Sequence, residues 1–228
     1  METIGGMTLK RPITDELRKT VVEDLSPEIH EIKDQDLKKK VIEAWALSCA
    51  TSSFKRITDI PGWGGPDDFY LKRGSQADHL RGVARFAMQM ADDMVKHYPE
   101  VIVDRDIVVA GALCHDIGKS YEMDPVNLKR WKADPSAAGD PTFRHTVYGM
   151  HIALTAGLPE EIAHIAMGHS REGQFVSLST ECTVVAHADH VWWMVGCSMG
   201  LLDPNTIASA GPKMRPRKLR TELNKAAE

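Results

Sequence analysis

Apolar residues recur at helical intervals along most of the chain. Between residues 34 and 50, Leu37, Val41 and Trp45 fall on one face of a helix with about 3.6 residues per turn. No segment shows the alternation of apolar and polar positions that is typical of a half-buried strand. The same helical spacing predicts further helices over residues 75–97, 104–116, 140–156, 159–168 and 179–199.

Local signals predict how several of these helices begin and end. Ser75 and Asp78 form a capping box in front of the longest apolar stripe. Gly118 is expected to end the helix over residues 104–116, and Gly157 is expected to end the helix that begins at Asp140. These signals place the helix boundaries to within a few residues.

Two stretches break the helical pattern. Proline and glycine dominate residues 61–66, which predicts a structured loop. Residues 119–140 contain two Asp-Pro pairs and no sustained periodicity, and we expect them to be irregular. Loops of this kind beside a site often carry substrate recognition.

The composition is that of a soluble globular protein, since 43% of the 228 residues are hydrophobic and 26% are charged. No apolar run reaches the roughly 18 residues of a membrane span, and the first residues lack the pattern of a signal peptide. A net charge of −4 gives no reason to expect nucleic-acid binding. The four cysteines form no CxxC pair, which argues against disulfides and a zinc ribbon and favours the cytoplasm.

Five predicted helical segments each place a potential metal ligand on an apolar face. These residues are His79, the pair His115 and Asp116, His145, His169 and Asp189. One such histidine is usually a core residue bonded to a carbonyl, but five successive faces are a different pattern. Buried carboxylates need cations or donors, and a metal ion supplies a cation for Asp116 and Asp189. Nitrogen and oxygen donors suit divalent Mn, Fe, Co, Ni, Zn or Mg.

The most specific motif is Leu113–Lys119, which reads LCHDIGK. It resembles the signature of the HD-domain superfamily of metal-dependent phosphohydrolases. The segment Asp78–Val83 resembles the first histidine motif of that family, and Ala188–Asp189 resembles its final aspartate. This resemblance implies an all-α fold, a compact HD-domain helical bundle over residues 75–199. A helical extension with a Gly/Pro-rich loop is expected at residues 1–74, and a basic tail at residues 200–228.

The resemblance also implies a ligand set. The first ion is expected on His79, His115, Asp116 and Asp189. His145 and His169 resemble the additional histidines of the binuclear branch of the family, in which the aspartate of the HD pair bridges two ions. The centre is therefore expected to be mono- or binuclear, and two divalent ions of unknown identity are favoured over one.

The implied activity is hydrolysis of a phosphate ester or phosphoanhydride, with nucleotides among the candidate substrates. Asp116 and Lys119 are the expected catalytic residues, and Lys119 and Arg171 are expected to bind a small anionic substrate. The alternative for Lys119 is a solvated lysine at a helix end, favoured by the helix dipole. For Arg171 the alternative is an ordinary surface arginine.

Two other functions stay open at this point. A branch of the superfamily resembling myo-inositol oxygenase uses the same six ligands for a mixed-valence di-iron centre that activates O₂. A non-catalytic HD module that senses a ligand is the third hypothesis. The sequence leaves the substrate, the metal and the oligomeric state undecided.

Overall fold

The computed structural model describes residues 2–64 and 70–203. The described residues are mostly helical, which confirms the predicted all-α fold. The α-helices are α1 (Asp15–Leu25), α2 (Gln35–Thr51), α3 (Gln76–His97), α4 (Arg105–Cys114), α5 (Lys119–Glu122), α6 (Pro125–Ala133), α7 (Pro135–Ala138), α8 (His145–Thr155), α9 (Glu160–Gly168) and α10 (Thr180–Ser198). Short 3₁₀ helices span Glu28–Glu31, Ile57–Asp59 and Arg171–Phe175.

Helix α4 lies at the centre of the bundle, between α3, α9, α10 and α2. Its residues from Val108 to Cys114 are all buried, as the near-continuous apolar sequence predicts. Gly111 allows close packing, because a Cβ there would lie 2.4 Å from Ile165 Cδ1 of α9. Helix α8 packs against α9, and α10 packs against α3. The central helix is therefore surrounded by the elements that carry the candidate ligands.

The N-terminal helices share this core. Helix α1 packs on α2, and α2 packs on α4 and α8. Trp45 of α2 is fully buried, and its indole N–H donates to Leu113 O at 2.8 Å. The boundary predicted near residue 74 thus does not separate the hydrophobic core into two parts.

Several predicted helix signals are confirmed. The capping box is present, because the Ser75 amide donates to Asp78 Oδ2 at 2.8 Å. Ser179 caps α10 through its hydroxyl, which accepts from the Cys182 amide at 3.0 Å. Gly157 adopts a φ of 75° just beyond α8, a conformation that favours glycine.

The prediction that residues 119–140 are irregular is wrong, because helices α5, α6 and α7 lie there. Each Asp-Pro pair begins a helix instead of breaking one. Asp124 Oδ1 accepts from the Val126 amide at 2.9 Å, and Asp134 Oδ1 accepts from the Ala137 amide at 3.2 Å. The proline that follows each aspartate occupies the first helical position, where its missing N–H costs nothing.

Two predicted boundaries also need correction. Helix α4 ends at Cys114 before the HD pair, and Gly118 has an ordinary φ of −76° at the start of α5. Gly118 is required for another reason, since a Cβ there would lie 2.0 Å from His145 O. Helix α8 begins at His145 and not at Asp140, because the Glu122 carboxylate accepts from the His145 amide at 3.2 Å.

The expected Gly/Pro-rich loop contains a small antiparallel sheet of β3 (Pro61–Trp63) and β4 (Tyr70–Ser75). The chain after α10 pairs with β4, where Leu71 and Leu202 form a bridge. A second hairpin joins β1 (Thr3–Ile4) and β2 (Met7–Thr8) near the N-terminus. The predicted basic tail from residue 204 onward lies outside the described residues.

Among the described residues, no helix has both the length and the apolar character needed to span a bilayer.

Candidate metal centre

All six predicted ligands meet in the interior of the bundle. They are His79 in α3, His115 and Asp116 after α4, His145 at the start of α8, His169 at the end of α9, and Asp189 in α10. Five of them are buried, and Asp189 keeps 19% of its side chain exposed. The ends of α4 and α9 and the beginning of α8 therefore point at one location from different directions.

The Asp116 carboxylate lies at the centre of the cluster, with one oxygen toward each half. Its Oδ2 lies 3.3 Å from Nε2 of both His79 and His115. Its Oδ1 lies 3.3 Å from His145 Nε2 and 3.4 Å from His169 Nε2. Each oxygen thus faces its own pair of imidazoles, which is the arrangement that a carboxylate bridging two ions requires.

Asp189 joins the first of these halves. Its Oδ1 lies 3.1 Å from His79 Nε2 and 3.8 Å from His115 Nε2. Burial acts to raise the pKa of Asp189, but the neighbouring imidazoles of His79 and His115 outweigh it and lower the pKa. The carboxylate is therefore ionised and able to act as a ligand at neutral pH.

Three of the four imidazoles are oriented through Nδ1. His115 Nδ1 lies 2.7 Å from Ala112 O, and His169 Nδ1 lies 3.0 Å from Ala166 O. His145 Nδ1 contacts the Glu122 carboxylate. A carbonyl only accepts hydrogen bonds, so Nδ1 carries the proton in His115 and His169. In a neutral ring the lone pair of Nε2 then points at the cluster.

This arrangement fits a bound cation. Burial lowers the pKa of His145, so its ring stays neutral more readily, despite the nearby Glu122 and Asp116. Neutral imidazoles direct Nε2 lone pairs toward carboxylate oxygens, and two acceptors that face each other repel. Positive charge between them removes the repulsion, and the nitrogen and oxygen donor set suits a divalent transition metal. Donor atoms of His79, His115 and Asp116 lie within 4.8 Å of one another, as do those of Asp116, His145 and His169.

Two polar residues that sequence reasoning missed support the ligands. The buried Gln76 donates from Nε2 to Asp116 Oδ2 at 2.7 Å. The buried Glu122 holds both the ring and the amide of His145. Gln76 lies one helical turn before His79, and this spacing was a usable signal. Glu122 had no such signal, because it lies in the stretch predicted to be irregular.

Lys119 is buried and not solvated, so the alternative of a solvated lysine at a helix end is wrong. Its Nζ lies 2.7 Å from Asp116 Oδ2 and also donates to Trp63 O in β3. The ammonium lies 5.5 Å from the centre of the Trp63 ring and 5.9 Å from that of Trp193. The opposing charge contributes to a pKa of Asp116 well below the ordinary value, although burial acts in the other direction.

The two arginines near the site differ in position. Arg171 is exposed in the 3₁₀ helix after His169, and within the described chain its side chain makes no hydrogen bond or ion pair. Arg144 is half-buried beside His145, with Nε 3.2 Å from Glu172 Oε1 and Nη1 3.9 Å from Glu122 Oε1. Of the two, Arg144 is the one in contact with the network that supports the ligands.

Tryptophans enclose one side of the cluster. The ring centres of Trp192 and Trp193 lie 4.7 and 4.8 Å from that of His79. Two glycines make room for them, since a Cβ on Gly82 would lie 2.0 Å from Trp192 Nε1, and one on Gly64 would lie 2.7 Å from Trp193. The aromatic pair therefore shields His79 from solvent and lowers the local polarity.

The comparisons with known proteins agree with this geometry. A family model described as the HD domain matches residues 77–194, which is just over half of the chain. The chain belongs to the HD-domain family. The matched range includes all six candidate ligands, Lys119 and the supporting Glu122.

A relative is the dihydroneopterin 2',3'-cyclic phosphate phosphodiesterase of Methanocaldococcus jannaschii, which is 37% identical over 94 residues. That match covers 40% of this chain and 37% of the relative, so the chain spans well under half of that enzyme. No solved structure shows a significant match.

Proposed function

We propose that this protein is a metal-dependent phosphohydrolase that acts on a small phosphate ester through a binuclear centre. The observation that carries the proposal is the Asp116 carboxylate, whose two oxygens each face a separate pair of imidazole nitrogens. The name of the relative, a cyclic phosphate phosphodiesterase, supports phosphate-ester chemistry.

The chain supplies two metal-binding halves that share one carboxylate. His79, His115 and Asp189 would hold the first ion, and His145 and His169 would hold the second, with Asp116 between them. Divalent ions in such a site acidify water and neutralise the charge that develops on phosphate oxygens. Glu122 orients His145, and Gln76 orients Asp116, so both halves have a supporting hydrogen bond.

Lys119 is the proposed phosphate-binding residue. Its ammonium lies beside Asp116 in a buried position with aromatic rings on two sides, where a charge interacts more strongly than it does in water. Asp116 occupies one of its hydrogens and Trp63 O another, and an ammonium has three. The remaining hydrogen is available for a phosphate oxygen. Arg171 is proposed to meet substrate only at the periphery, because it is exposed.

The phosphodiester class is the first to test. The full chain would be purified without oxygen, analysed for metals, and assayed with bis(p-nitrophenyl) phosphate and with 2',3'-cyclic AMP. Phosphate-ester cleavage that proceeds without O₂ and is restored to metal-free protein by Mn²⁺, Co²⁺, Ni²⁺ or Zn²⁺ supports the proposal. Two irons per chain with a mixed-valence signal, and no hydrolysis of either ester, would replace it with the oxygenase alternative.

A further inference from the structure

A cavity lies on the far side of α5 from the metal centre. Its volume is about 680 Å³, and it is bounded by the β1–β2 hairpin, the end of α2, and helices α5, α6 and α8. Ligand pockets typically measure about 300–1,000 Å³. None of the six candidate ligands lines it. Helix α5 contributes Tyr121 to this cavity, whereas its Lys119 and Glu122 contact the metal centre.

Among the described residues, those that line this cavity include cations and no carboxylate. The charge of Lys10 is matched, since its Nζ lies 2.8 Å from Asp124 Oδ2. Arg130 differs, because within the described chain its guanidinium meets no carboxylate. Its Nη2 donates only to neutral oxygens, the Tyr121 hydroxyl at 3.3 Å and Asn127 Oδ1 at 3.5 Å. An exposed arginine in this position retains its bidentate capacity for an anion.

The same cavity has an aromatic wall. The rings of Tyr121 and Tyr148 are stacked, with centres 4.0 Å apart and planes 14° from parallel. Burial raises the pKa of Tyr148 to about 12, so its hydroxyl adds no negative charge at neutral pH. Phe143 also lines the cavity and leaves 51% of its surface exposed. An aromatic ring that packs against these side chains would bury apolar surface.

We propose that this cavity is a second binding site, which takes a small organic anion that carries one aromatic ring, of about the size of a mononucleotide. The anionic group meets Arg130, and the ring packs against Phe143 and the tyrosine pair. This site does not depend on the function of the metal centre, because it uses none of the metal ligands.

The test is calorimetric titration of the full, metal-loaded chain with AMP, adenosine and inorganic phosphate. We expect AMP to bind saturably and at least tenfold more tightly than either adenosine or phosphate, because only AMP offers both the ring and the anion. Arg130→Gln should weaken this binding about tenfold to a hundredfold through loss of a charge-assisted contact. Phe143→Ala should weaken AMP binding and leave phosphate binding unchanged.

Lys129→Gln is the matched control, since Lys129 is exposed on the same helix and does not line the cavity. This variant removes the same charge and should bind AMP like the unaltered protein. AMP that binds only at the metal centre would be insensitive to Arg130→Gln, and that result overturns the proposal. Absence of saturable AMP binding, or equal weakening by Arg130→Gln and Lys129→Gln, overturns it as well.

Discussion

Two buried carboxylate clusters in this protein differ in the groups that face their negative charge. Glu28, in the 3₁₀ helix after α1, is 3% exposed, and each of its oxygens accepts from an arginine of α3. Arg81 Nε lies 2.7 Å from Oε2, and Arg85 contacts Oε1. The chain itself therefore supplies the positive charge that this carboxylate requires, and the cluster fastens the N-terminal segment to the bundle.

The metal centre is not balanced in the same way. The centre has two carboxylates, Asp116 and Asp189. Within the described chain, Lys119 is the one lysine or arginine that pairs with either of them, and it contacts only Oδ2 of Asp116. Asp116 Oδ1 faces imidazole nitrogens, and the same holds for Asp189 Oδ1. The comparison teaches that burial of a carboxylate does not by itself identify a functional site. The atoms that face the carboxylate are more informative, because buried oxygens that face imidazole nitrogens and no arginine favour a cation from outside the chain.

The largest effect is expected from Asp116→Ala, which tests whether this carboxylate is needed to hold the metal ions. Loss of the shared carboxylate should remove both metal equivalents and reduce phosphate-ester hydrolysis to background. Metal analysis by mass spectrometry and an assay with bis(p-nitrophenyl) phosphate measure the two effects, and circular dichroism checks the fold. The control is His151→Ala, because His151 Nε2 bonds to Gly5 O at 2.8 Å, away from the cluster. Full metal content in the Asp116 variant would contradict the bridging role.

Glu28→Ala tests the other cluster and should affect stability alone. Removal of the carboxylate deprives two arginines of a charged partner and should cost about 2 kcal/mol of unfolding free energy. The metal content of the folded protein should not change. Urea denaturation measures the loss, and Glu31→Ala is the control, since Glu31 is 50% exposed in its pair with Arg105 and should cost under about 1 kcal/mol. Equal losses in the two variants would argue against a structural role specific to Glu28.

Glu122→Gln should weaken one half of the metal centre and spare the other. The amide holds the His145 ring less well than the carboxylate does, and loss of such support typically costs about ten- to a hundredfold in metal affinity. Competition with a fluorescent chelator should show one weakened equivalent and one unchanged. Glu172→Gln provides the control, because Glu172 hydrogen-bonds to Arg144 and not to an imidazole. Weakening of both ions by Glu122→Gln would mean that the centre is not divided as proposed.

Lys119→Met should leave the metals in place and impair the reaction. The change keeps the aliphatic stem between Trp63 and Trp193 and removes the charge beside Asp116. Loss of a charge-assisted contact to phosphate should reduce kcat/KM by about ten- to a hundredfold. Steady-state kinetics with metal analysis separate the two properties. Unaltered kinetics would show that Lys119 serves only to neutralise Asp116.

The smallest effect is expected in the pH dependence of stability. Burial acts to raise the pKa of Glu28, but Arg81 and Arg85 lower it by more, so the folded pKa lies below that of the unfolded chain. The stabilisation is thus complete above the unfolded pKa and is lost as the pH falls through the folded value. Between about pH 6 and pH 3, unfolding free energy should fall less steeply in Glu28→Gln than in the unaltered protein. Parallel slopes would show that another carboxylate carries the acid sensitivity.

Much of the candidate site could be predicted because its residues obey local rules. His79 shares a helical face with apolar residues of α3, and the pair His115–Asp116 follows α4, whose residues from Val108 to Cys114 are all buried. The support residues were harder to find. Gln76 and Glu122 look like ordinary polar residues in the sequence, and only their contacts with Asp116 and His145 reveal what they do.

By itself the sequence determined the helical periodicity, the main caps and the six residues that the fold brings together, because these depend on spacing along one chain segment. The tertiary structure alone decided the rest. Residues 119–138 form α5–α7. The Glu122 carboxylate accepts from the His145 amide, and Lys119 is buried between Asp116 and Trp63. These features join residues that are distant in sequence or depend on capping by a neighbouring element, and local periodicity carries no information about such pairings.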